Sequence, residues 1–194
     1  MPKETRKQRA QIVVDKLKDL FPENPSTALN YDNTWQLLVA VILSARTTDK
    51  KVNEVTEKLF DKYPNREDYL NLNKDELAEE IDSIGLYNSK AGYILDTAKK
   101  IEQDFDGEIP KNLQDLQKLS GVGRKTANVV LSEAFSKSEG VAVDTHVQRL
   151  SQKFGLTSKE KPDKIEQDLM KNLPQKEWKN FTLRMIEYGR EYSP

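Results

Sequence analysis

Cysteine is absent from this 194-residue chain, and histidine occurs once, at His146. Without thiols there are no disulfides, no thiolate zinc sites and no cysteine-ligated iron–sulfur cluster. One imidazole does not make a histidine-based metal site. Charge of one sign is also lacking: 31 basic residues stand against 32 acidic ones, for a net charge of -1. No global field marks a polyanion-binding protein, so any contact with nucleic acid has to rest on a local patch. The longest apolar run, LLVAVILSA at 37–45, falls well short of the roughly 20 residues that span a bilayer. The polar start, MPKETRKQRA, has no signal-peptide hydrophobic core. These absences imply a soluble, cytoplasmic protein without a membrane partner.

Alternating β-branched runs are scarce as well, whereas apolar residues recur at helical spacing throughout. Ile12, Val13, Leu17 and Leu20 mark a first helix, ended by FPENP. Residues 35–45 are apolar nearly all round, the pattern of a helix buried at the centre of a bundle. Val52, Val55, Leu59 and Phe60 mark the next helix, and Ala91, Ile94, Leu95 and Ala98 one face of a longer one. The spacing predicts an all-α protein of about ten helices joined by short connections. The loop at 137–140 is the best candidate for a domain boundary.

LSGVGRKTANVV, at 119–130, places two glycines and an Arg-Lys pair at the start of an apolar helix. Leu113, Leu116 and Leu119 give a matching face upstream, and Ala127, Val130, Leu131 and Ala134 the core stripe downstream. Gly-Val-Gly between them turns the chain tightly and leaves backbone N–H groups at a helix N-terminus. That is either an anion site suited to phosphate or an ordinary helix–turn–helix corner. Lys125 falls opposite the core stripe and points outward. The helix macrodipole and the neighbouring Arg124 both disfavour its charged form, and a neutral lysine is a nucleophile capable of Schiff-base chemistry. The alternative is a solvated surface cation.

GVAVDTHVQRL supplies the second candidate position. Val141 and Val143 read as buried, and Asp144 precedes a helix with the face Val147, Leu150 and Phe154. Asp144 is placed as an N-cap, whose N–H bonds hold it ionised. A fixed carboxylate near a neutral lysine would also supply a base and a stabiliser for a cationic sugar transition state. His146 fits a packed residue better than a catalyst.

LSGVGRKTANVV followed by VAVDTH resembles the endonuclease III branch of the helix–hairpin–helix DNA glycosylases. The likeness extends to LLVAVILSARTTD and SIGLYNSKA and runs from about Phe21 to Arg190. It implies a six-helix barrel domain at 25–137, with the hairpin at 119–125, and a discontinuous helical domain from 1–24 and 138–194. Lys125 matches the family's catalytic lysine and Asp144 its catalytic aspartate. The implied activity is a bifunctional glycosylase and abasic-site lyase for oxidised pyrimidines, working on double-stranded DNA as a monomer, with the damaged base flipped out. Gly121 and Gly123 would hold a phosphate through backbone amides, with a monovalent cation as an option at the same hairpin. Val122, Arg124 and Thr126 around them, Lys90 in SIGLYNSKA and His146 would contact DNA too. Leu86 matches the side chain pushed into the duplex.

Two departures stand out. Arg46 replaces the glutamine that usually fills the gap left by the flipped base. Ser193 stands near where the first of four cysteines would begin a [4Fe–4S] site; either this is a cluster-free member or the chain is a shortened one, and the lack of cysteine throughout favours the former. A glycosylase for a mispaired adenine or thymine and a non-catalytic lesion-binding paralogue are the alternatives; Lys125 argues against a purely adenine-removing member, and the neutral net charge favours the paralogue.

Overall fold

Side-chain caps written into the sequence set where most helices begin. In the computed structural model, which describes residues 4–23 and 26–193, Thr5 accepts from Gln8 N–H and receives its side chain in return, a capping box that opens α1 (Arg6–Leu20). Asn33 caps α2 (Thr34–Leu43) by accepting from Gln36 N–H, and Thr48 caps α3 (Asp49–Lys62) by accepting from Lys51 N–H. The chain continues through α4 (Arg66–Leu70), α5 (Lys74–Glu80), α6 (Tyr87–Asp104), α7 (Leu113–Leu116) and α8 (Arg124–Ala134). Beyond these lie α9 (Thr145–Lys153), α10 (Pro162–Asn172), a 3-10 turn at Gln175–Glu177 and α11 (Trp178–Tyr192). The described residues hold no strand, so the protein is all-α.

Two compact units divide the chain: residues 28–135, and residues 1–27 with 136–194. The domain edge expected at residues 24 and 25 lies outside the described residues. In the 28–135 unit, every residue from Trp35 to Leu43 is buried, and α3, α6 and α8 pack around α2. Each Leu or Ile removed from water there contributes roughly 1.5–3 kcal/mol, which is why a helix with no polar face is stable at this position. Val52, Leu59, Ile94, Ala98, Val130 and Leu131 complete that core.

The other unit has its own core. Val14 and Leu17 of α1 meet Val147, Leu150, Ile165, Leu169, Phe181 and Met185 from α9, α10 and α11. Here the sequence pattern misled in detail. α1 buries Ala10, Val14 and Leu17, leaving Ile12 at 48% and Leu20 at 46% exposure. Ala10, Val14 and Leu17 are spaced four and three residues apart, so they share one side of the helix. Val143 is only half-buried. Arg184 is buried on α11, where its guanidinium donates to Phe21 O at 2.9 Å and Glu23 O at 3.3 Å.

Candidate nucleic-acid interface and reactive lysine

The hairpin between α7 and α8 is built around one glycine that the chain itself requires. Gly121 has φ +73°, a left-handed conformation, and a Cβ there would lie 3.0 Å from the Tyr93 ring. Gly123 differs. Its φ is -79°, which any residue adopts, and a Cβ would meet nothing within 4 Å. No neighbouring atom excludes a side chain at 123; glycine suits the position as a helix N-cap and leaves the surface in front of it open. Val122 is buried and anchors the turn, its N–H donating to Leu119 O at 3.2 Å.

Gly123 is the N-cap of α8, and no side chain caps that end. The first bond of the helix runs from Ala127 N–H to Gly123 O at 2.9 Å, so the N–H groups ahead of it point out of the helix end. Lys125 is exposed in this first turn, while Arg124 and Thr126 are half-exposed. Ala127, Asn128, Val130 and Leu131 occupy the buried side. The arrangement is an anion-accepting helix end with an outward amine one residue into it.

Two other exposed side chains of the same unit sit on left-handed backbone. Arg46 has φ 58° just past α2, and Leu86 has φ 63° at the N-cap of α6. Left-handed conformation costs a non-glycine residue about 1–2 kcal/mol, so the surrounding structure must enforce it. Leu86 is also 60% exposed, so its side chain is open to a partner. The structure brings the two loops together, because a Cβ on Gly85 would lie 3.7 Å from Arg46 O.

Lys90 does not reach outward as the sequence reading expected. It is 3% exposed, and its Nζ donates to Leu43 O at 2.8 Å, Ala45 O at 2.7 Å and Thr47 Oγ1 at 3.2 Å. All three ammonium protons are used internally, which removes it from the set of DNA-contacting residues. Burial holds its pKa below the ordinary lysine value. Tyr93 and Thr97, one and two turns further along α6, were missed: the first packs on Gly121 and the second donates to Ser120 O at 3.0 Å. Their spacing at 90, 93 and 97 is a helical stripe, a legible signal lying beside the core face.

Asp144 and His146 belong to the other unit. Asp144 is half-buried and caps α9, its Oδ1 accepting from Val147 N–H at 2.8 Å. His146 is half-buried, and its Nδ1 lies 2.3 Å from where a Cβ on Gly189 would stand. That ring edge is committed to α11 and its Nδ1 is buried without a partner.

A groove of about 650 Å³ between the 28–32 segment and α3 is lined by Asp32, Asp49, Glu54, Glu57 and Asp61. Its acidity repels phosphate and separates it from the hairpin site. Among the described residues, no group of three or more His, Cys, Asp or Glu side chains is placed to hold a metal ion. No helix among them is long and apolar enough to cross a membrane. The Ser193 hydroxyl accepts from Arg149 Nη1 at 2.7 Å, and the Arg149 guanidinium also holds Ser193 O. A hydroxyl inside an arginine clamp is not a ligand for iron, so these residues do not fit an iron–sulfur cluster.

Residues 39–175 match the model of the HhH-GPD superfamily base excision DNA repair proteins. Endonuclease III of Synechocystis sp. is 47% identical over 96% of this chain and 84% of its own length. Endonuclease III of Bacillus subtilis is 44% identical over 93% of this chain and 82% of its own. The solved structure of a trapped endonuclease III–DNA covalent intermediate superposes with a TM-score of 0.93 at 40% identity, covering 98% of this chain and 89% of that one.

Proposed function

The chain belongs to the HhH-GPD superfamily of base excision DNA repair proteins, in its endonuclease III branch, and on that premise we propose that Lys125 is its nucleophile and Asp144 its catalytic carboxylate. It is a DNA N-glycosylase and abasic-site lyase for oxidised pyrimidines. The observation that carries the residue assignment is the start of α8: an exposed lysine in the first helical turn, beside an open glycine N-cap at a helix end that no side chain caps.

The chemistry follows from those groups. The uncharged Lys125 amine attacks C1′ of the damaged nucleotide; the glycosidic bond breaks and the base leaves with the bonding electron pair. The Asp144 carboxylate stabilises positive charge at the sugar as that bond breaks and accepts the amine proton. Ring opening gives a protonated Schiff base between Nζ and C1′. Loss of a C2′ proton then expels the 3′ phosphate oxygen, which nicks the strand by β-elimination, and water releases Lys125 from the unsaturated aldehyde.

The hairpin holds a backbone phosphate through N–H groups at Gly121, Gly123 and the first turn of α8, and Arg124 adds a cationic contact. Thr126 lies in that same first turn. Arg46 and Leu86 fill the space left by the flipped nucleotide. The protein acts as a monomer on duplex DNA carrying a damaged base or an abasic site.

Borohydride trapping tests the assignment. An abasic-site duplex incubated with the protein and then reduced yields a covalent adduct on a denaturing gel. Lys125→Gln abolishes that adduct while the thermal midpoint stays close to wild type, because the side chain is exposed. An adduct at wild-type strength from Lys125→Gln removes Lys125 from the nucleophile position.

A further inference from the structure

We propose that Lys90 is a positioning residue: its ammonium pins the Arg46 loop to α6, and α6 sets the distance from that loop to the phosphate-holding hairpin. The inference rests on the functional reading above, in which Arg46 and Leu86 enter the duplex and the hairpin grips its backbone.

The bonds of Lys90 all run to one short segment. Leu43 O, Ala45 O and Thr47 Oγ1 bracket Arg46, the residue held at φ 58°. Two of these acceptors are carbonyls at and just past the end of α2, groups that have no intrahelical partner there. On the α6 side, Lys90 stands one turn after Leu86, and its own N–H donates to Leu86 O at 3.0 Å. A single side chain therefore joins Arg46 and Leu86, both exposed and both on left-handed backbone.

The same stripe of α6 continues to the hairpin. Tyr93 packs on Gly121, and Thr97 Oγ1 donates to Ser120 O. From residue 90 to residue 97 the helix rises about 10 Å, a length fixed by the backbone ladder and insensitive to sequence. α6 thus sets the spacing between the side chains that open the duplex and the amides that hold its phosphate. The acceptors of Lys90 are all neutral oxygens, and burying an ammonium among neutral groups costs free energy. A positional role explains its presence at a cost that an apolar residue would avoid.

Two substrates under single-turnover conditions, with enzyme in excess, test the proposal. A duplex with thymine glycol opposite adenine requires the base to be extruded and the gap filled. A single-stranded abasic oligonucleotide, trapped with borohydride, requires neither. Lys90→Met lowers the rate of base excision from the duplex by at least about tenfold, since misplacement by 1 Å costs up to about a hundredfold. Trapping on the single strand stays within about twofold of wild type. Thr47→Val, which removes one acceptor and leaves the buried lysine in place, lowers excision in the same direction by a smaller factor.

Excision at the wild-type rate in Lys90→Met overturns the proposal. Equal losses on both substrates, with a lowered thermal midpoint, also overturn it by assigning Lys90 to folding alone. Should Lys90→Met fail to fold, Thr47→Val decides: unchanged duplex excision overturns the proposal, and selective loss sustains it. Failure of the underlying reading of Lys125 shows separately, as no adduct from the wild-type protein on either substrate.

Discussion

Asp144 combines two tasks that a pair of substitutions separates. Its carboxylate accepts Val147 N–H at 2.8 Å, which closes the open end of α9, and the proposed chemistry also uses its charge. Asparagine caps a helix as well as aspartate does, whereas alanine forfeits about 1 kcal/mol. Asp144→Asn therefore retains the urea midpoint of the wild type and loses about 10²–10⁴-fold in single-turnover excision, the usual range for a proton-transfer group. Asp144→Ala loses both. Wild-type excision by Asp144→Asn would reduce Asp144 to a helix cap. His146 presents the opposite case at this scale, since its Nδ1 edge is spent on Gly189.

The hairpin shows how one element divides its requirements between fold and ligand. Gly121 answers to the chain: its left-handed φ and the Tyr93 ring, 3.0 Å from a would-be Cβ, both oppose a side chain. Gly123 answers to whatever approaches the helix end. Gly121→Ala consequently destabilises the protein by roughly 1–3 kcal/mol, read as a fall in urea midpoint. Gly123→Ala, which puts a poorer N-cap on α8 without any clash, costs roughly 0.5–1 kcal/mol. It weakens duplex binding by about tenfold, or 1.4 kcal/mol, through the methyl group set in the phosphate's path. If titration of a labelled duplex finds Gly123→Ala binding at full strength, the phosphate does not sit at this glycine.

At the level of the whole molecule, a net charge of -1 means that DNA is held by a few placed groups and not by a general field. The 650 Å³ groove with its five carboxylates shows how unevenly that charge is distributed. With about four phosphates neutralised, the logarithm of the binding constant falls against the logarithm of salt with a slope of roughly -3 to -4. Arg124→Ala reduces the magnitude of that slope by about 1. A slope near zero, measured by fluorescence anisotropy across a salt series, would remove the phosphate clamp.

The all-helical class, the buried α2 and the outward direction of Lys125 were legible in the sequence, because each depends on spacing along a single helix and the 3.6-residue period governs it directly. The hairpin glycines were equally visible as a pair. Which of the two the chain itself requires was decided in three dimensions, where Tyr93 arrives from α6 to meet Gly121. Which residues of α1 are inside was decided the same way: Ala10, Val14 and Leu17 are buried, and Ile12 and Leu20 are not. Lys90 is the sharpest divergence. A lysine on a predicted helix reads as solvated, and only the tertiary fold shows carbonyls more than 40 residues earlier in the chain, at Leu43 and Ala45, converging on its ammonium. Periodicity reports which face of a helix is apolar. It carries no information about unpaired backbone acceptors on another element, and those are what draw a charged side chain inward.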